Sequence, residues 1–131
     1  MTLVQLLIIG AILALLLVSA MHSWLGEKML LAPLFTQRGH PILESQFARR
    51  LIRFAWHATS LMWVMMAVML GALAFAPDAL VPIILYTMAI GFLLCGIVDA
   101  VLTRFRHVGW SVLFAIGVFC LAAAIIGVPA S

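Results

Sequence analysis

Four histidines, four acidic residues and seven lysines or arginines carry most of the ionisable chemistry of this 131-residue chain. Their placement is uneven. Arg49, Arg50 and Arg53 end a polar segment, and His57 follows one helical turn later inside a long apolar run. His22 stands shortly before the first apolar run stops, Asp99 before the third stops, and His107 where the fourth begins. Titratable groups are costly in hydrocarbon, so a layer of them at one end of several apolar runs marks a functional site. Imidazole ligates transition metals and heme iron, and helical bundles hold such groups with inward side chains from facing helices. The leading expectation is therefore a bound transition metal or b-type heme with a redox or electron-transfer role. His22, His57 and His107 are its candidate ligands and Asp99 a further metal ligand. Arg53, Arg50 and Glu27 would orient the site or balance its charge. No His-x-x-x-His or Glu-x-x-His pair is present, so the expectation rests on depth and residue type alone.

These residues need elements to carry them. Hydrophobic residues make up 67% of the chain and charged residues 8%, far from the balance of a soluble domain. Four apolar stretches, near 3–25, 51–76, 80–102 and 108–128, are each long enough to cross a hydrocarbon core, which takes about 20 helical residues. The expected fold is all-α: one domain over 1–131, a four-transmembrane-helix antiparallel bundle with a connecting loop over 27–48. Val18-Ser-Ala20 looks like a signal cleavage site. No Lys or Arg precedes Lys28 and the run is long, so a retained first transmembrane helix is expected.

All seven basic residues fall between runs one and two or between runs three and four. The positive-inside rule makes those loops cytoplasmic and puts both termini outside. The positive charge then reports topology and contact with anionic headgroups, and a nucleic-acid partner finds no basic face to use. Gly26 suits a helix C-cap, Met29–Phe35 is expected to lie at the membrane surface, and Glu44 or Ser45 can cap the second helix. Gly10 and Ala14 form a small-xxx-small pair; Gly91, Cys95, Asp99 and Thr103 form a small, polar stripe expected to face protein. Pro129 ends the fourth helix. Ser23 and Ser111 lie near histidines, but neither sits in a nucleophile-elbow motif, and no enzymatic reaction follows from them.

Two other readings compete with the cofactor. In the first, the layer is structural, with Asp99 paired to Arg53, and the chain is an accessory subunit of a larger membrane complex or a homo-oligomer. In the second, Arg50 and Arg53 receive the headgroup of an anionic lipid or a quinone.

At His22-Ser-Trp-Leu-Gly-Glu27, Arg53-Phe-Ala-Trp-His57 and Arg106-His107 the chain resembles a group of small bacterial four-span membrane proteins of uncharacterised function. The resemblance implies a bacterial inner-membrane setting and supplies no activity.

Overall fold

The computed structural model describes residues 1–37 and 39–127; Arg38, Val128 and Pro129 lie outside the described residues. The chain is all-helical there. Helix α1 runs over Leu3–Leu25 and continues through a π-helical turn, Gly26–Leu31, into the short α2, Ala32–Leu34. After α3, Pro41–Glu44, come α4, Gln46–Phe75, a 3-10 turn at Pro77–Ala79, α5, Leu80–Thr103, and α6, Gly109–Ile126. Four segments are long and apolar enough to cross a membrane. The chain is a multi-pass membrane protein whose outward faces, such as Leu13 and Leu17 on α1 and Phe119 and Ile125 on α6, suit lipid.

Local chemistry explains most boundaries. Thr2 and Gln5 form a reciprocal capping box that starts α1. Ser45 accepts from the Ala48 N–H and starts α4, one of the two caps expected. Pro77 opens the 3-10 turn that reverses the chain into α5. At the far end of α5 the Phe105 N–H returns to the Ala100 carbonyl at 2.8 Å and the Arg104 N–H to Val101 at 3.3 Å, a Schellman closure. Glycine is usual at its left-handed position. Here Arg104 and Phe105 take φ of 53° and 60°.

The structure departs from the expected end of α1. Gly26 has right-handed helical angles, φ −61° and ψ −43°, and the backbone runs on rather than stopping. Residues 29–34 therefore continue the helix instead of forming a separate surface segment. The reason lies across the seam. A Cβ on Gly26 would collide with the Trp56 indole, which donates to the His22 carbonyl at 2.9 Å. Gly26 serves close approach.

The spanning helices are antiparallel and pack in chain order: α1 on α4, α4 on α5, α5 on α6. Among the described residues α1 and α6 share no packing interface that would close the row into a ring. Hydrogen bonds tie α1 to α4 at both ends, Gln5 to the Ala74 carbonyl (3.1 Å) and Ser19 to the Ser60 carbonyl (2.9 Å). Gly10 and Ala14 face outward and play no part in that contact. Glycine brings α5 and α6 together instead. A Cβ on Gly96 would meet Phe114 N at 2.8 Å, and one on Gly117 would meet Leu93 N at 2.7 Å. The Gly91, Cys95, Asp99, Thr103 stripe is buried throughout, and Met65 covers Gly91.

Candidate functional site

The polar residues at the basic end divide between two helix seams. The first cluster lies between α1 and α4. Glu27, carried on the π-helical turn, holds Arg53 through both carboxylate oxygens, at 2.6 Å and 3.0 Å. Its Oε2 also lies 3.5 Å from His57 Nε2. Ser23 Oγ is 3.0 Å from His57 Nδ1 and donates to Ser60 Oγ at 2.9 Å. A hydroxyl has one proton, so with Ser23 donating to Ser60 the His57 Nδ1–H donates to Ser23. The two ring nitrogens of His57 thus face Ser23 of α1 and Glu27 of the turn that continues it. Arg53 and His57 are half-exposed and share the one Glu27 carboxylate.

His22 sits beside this cluster without joining it. Its ring stacks on Trp56 at 4.1 Å, nearly parallel, and meets the edge of Trp63 at 4.9 Å. Its Nε2 is buried and has no hydrogen-bond partner. Trp56 and Trp63 are seven residues apart on α4, and that shared face is what encloses the imidazole.

The second cluster lies between α5 and α6. Asp99 is wholly buried, and its Oδ2 accepts from His107 Nδ1 at 2.6 Å. Its Oδ1 has no partner. The His107 ring lies over Gly109, where any Cβ would strike it, so the glycine that opens α6 also seats the histidine. Thr103 donates to the Asp99 backbone carbonyl at 2.6 Å, and Ser111 turns away to the Val108 carbonyl.

The expected partnership of Asp99 with Arg53 is therefore replaced by two separate pairs. The π-helical turn delivers Glu27 to Arg53, and α6 delivers His107 to Asp99. The three histidines occupy three settings: an indole sandwich, a serine–glutamate chain and a buried aspartate. No three of the described His, Cys, Asp and Glu residues form a group able to hold a metal ion. Arg50 stands apart again, with Nη1 donating to the Leu102 carbonyl at 3.2 Å.

The seam between α4 and α5 holds what residue types alone did not point to. One cavity of about 250 Å³ opens beside Arg53 and His57 and runs past Leu61, Leu94, Cys95 and Val98. A second, of about 310 Å³, shares Leu61 and Leu94 and continues to Val68, Thr87 and Ile90. From Arg53 to Val68 the track covers fifteen helical residues, about 22 Å at 1.5 Å each. Its walls are almost wholly apolar, with Arg53 and His57 at one end and Thr87 toward the other. The sequence signal was only the long apolar face of α4 below His57. Compared with protein-family models, with curated proteins and with solved structures, the chain matches none.

Proposed function

We propose that the protein binds a single-headed membrane amphiphile along the α4/α5 seam. The polar head would lie at the basic, cytoplasmic end of the seam beside Arg53 and His57, and the hydrocarbon tail in the groove below. The observation that carries this reading is a pair of neighbouring apolar cavities, which share Leu61 and Leu94 and have Arg53 and His57 at one end. A tail in such a groove exchanges lipid contacts for shaped protein contacts, and the fixed polar groups set its register. Glu27 and Ser23 hold Arg53 and His57 in place before a head arrives, which lowers the ordering penalty of binding.

The test is retention. Protein extracted in mild detergent is examined by native mass spectrometry for a bound amphiphile. Leu94→Trp fills the groove where the two cavities meet, and Ile125→Trp places the same bulk on the outward face of α6. The expected result is one retained amphiphile in the parent and in Ile125→Trp, and its loss in Leu94→Trp. Equal retention in the two variants overturns the proposal.

One observation favours a second reading, a metal or b-type heme: the buried, unpartnered Nε2 of His22. That nitrogen is one ligand, and His57 and His107 are each engaged elsewhere. A visible spectrum with elemental analysis separates the readings. A heme band, or near-stoichiometric metal lost in His22→Ala, would replace the amphiphile proposal with a cofactor.

A further inference from the structure

We infer that the amphiphile is a phosphate-headed lipid, its phosphate held by Arg50, Arg104 and Arg106. This rests on the groove reading and names the head that the groove would serve. A pocket of about 90 Å³ lies at the basic end, between the start of α4 and the α5–α6 turn. Gln46, Arg50, Thr103, Arg104 and Arg106 line it, together with Leu102. Leu102 lines the apolar groove as well, so the arginine pocket opens where the tail track ends.

Charge accounting leaves the arginines of this pocket without a counter-charge, whereas Arg53 nearby already has one. The chain has four side-chain carboxylates. Glu27 is held by Arg53 and Asp99 by His107. Glu44 accepts from the Gly39 N–H, and Asp78 lies in the Pro77–Ala79 turn at the opposite end of the helices. None remains for Arg50, Arg104 or Arg106, which have no ion-pair partner among the described residues. Their recorded contacts are weak ones: Arg50 on the Leu102 carbonyl, and Arg106 over the Phe47 ring at 5.9 Å. A tetrahedral oxyanion accepts from several guanidinium forks at once, and arginine presents those donors in a fixed plane. A neutral quinone head would leave three positive charges unanswered.

The backbone supports the same point. Arg104 occupies the left-handed position of the Schellman closure, where glycine carries no steric penalty. Arg104→Gly thus removes a guanidinium while relaxing the turn, so lost binding in this variant does not come from unfolding.

Dioleoyl phosphatidic acid and dioleoylglycerol have identical tails and differ by the phosphate. Their affinities are measured by native mass spectrometry on delipidated protein, with inorganic phosphate as competitor. Parent protein is expected to prefer phosphatidic acid by about 10-fold or more, the effect of one charge-assisted hydrogen bond. Arg104→Gly and Arg50→Ala should bring it to the dioleoylglycerol level, while Arg49→Ala, outside the pocket, should not. Equal affinities in the parent, with both lipids lost in Leu94→Trp, would overturn the phosphate and leave the groove standing. Retention of neither lipid, or indifference to Leu94→Trp, would remove the groove and the phosphate together. An equal loss in Arg49→Ala would reduce the site to general surface charge and overturn the inference. So would inorganic phosphate that binds in the pocket and is displaced by neither lipid, since the source would then be free phosphate.

Discussion

Removing His107 should be among the most destabilising single changes in the protein, and removing Asp99 along with it should undo part of the damage. The Asp99 carboxylate is 0% exposed and has one side-chain partner, His107 at 2.6 Å, while its other oxygen has none. His107→Ala strands that carboxylate. Breaking a buried charge pair from one side costs about 3–5 kcal/mol. The lower end, about 3 kcal/mol, applies here, because the His107 half of the pair is 34% exposed. Asp99→Ala strands only an imidazole that is 34% exposed and can turn to water, so roughly 1–2 kcal/mol is expected, mostly from the small void. The double variant should resemble Asp99→Ala alone, which gives a coupling equal to the His107→Ala cost, roughly 3 kcal/mol. Reversible unfolding in bicelles, followed by tryptophan fluorescence against a denaturing detergent, measures all three. If His107→Ala lies within about 0.5 kcal/mol of the parent, or the two changes simply add, the pair does not hold α5 to α6 as argued.

Gly26→Ala should drive the Trp56 indole off the His22 carbonyl, costing about 1–3 kcal/mol, with a shift in tryptophan emission as the direct sign. Gly117→Ala should cost a similar amount, since its Cβ would meet the Leu93 N at 2.7 Å and the Ala89 carbonyl at 3.0 Å. Backbone cannot step aside as a side chain can, so unchanged thermal stability in micelles would refute that contact. Glu27→Gln leaves Arg53 without its counter-charge beside the groove and should raise retention of phosphatidic acid in the mass-spectrometric assay. Unchanged or lower retention would mean that Arg53 lies out of reach of the head.

The fold was legible because it depends on length and apolarity, and four such runs leave the chain few alternatives. The layer of His22, His57, Asp99 and His107 was legible as a depth, since helical rise converts sequence position into distance along an axis. Rotation about that axis was not. Glu27 is four residues beyond Ser23 and five beyond His22, and a regular helix sends Glu27 and His22 to different faces. Ser23 and Glu27, four apart, share a face and reach the same imidazole while His22 turns to Trp56, with Glu27 carried on the π-helical turn at Gly26–Leu31. Nothing in the residues 26–31 themselves requires that turn. It fits against the Trp56 indole on another helix, a tertiary cause outside any local window.

The same argument explains why the arginines divide as they do. Arg49, Arg50 and Arg53 read as one cationic stretch, and headgroup anchoring accounts for all three equally well in one dimension. In three dimensions each meets a different acceptor: Arg49 the Leu43 carbonyl, Arg50 the Leu102 carbonyl, Arg53 the Glu27 carboxylate. Only the last is neutralised. Arg50 instead joins Arg104 and Arg106, more than fifty residues away in the chain, around one pocket. Anchoring alone needs no such convergence, because separate headgroups can serve separate arginines. Three arginines without an ion-pair partner among the described residues line one small space at the end of an apolar track, and their like charges repel until something negative lies between them. In the proposed site that repulsion would favour an anion and make the affinity for phosphatidic acid sensitive to salt. Raising the ionic strength should therefore weaken phosphatidic acid more than dioleoylglycerol, and Arg104→Gly should abolish the difference.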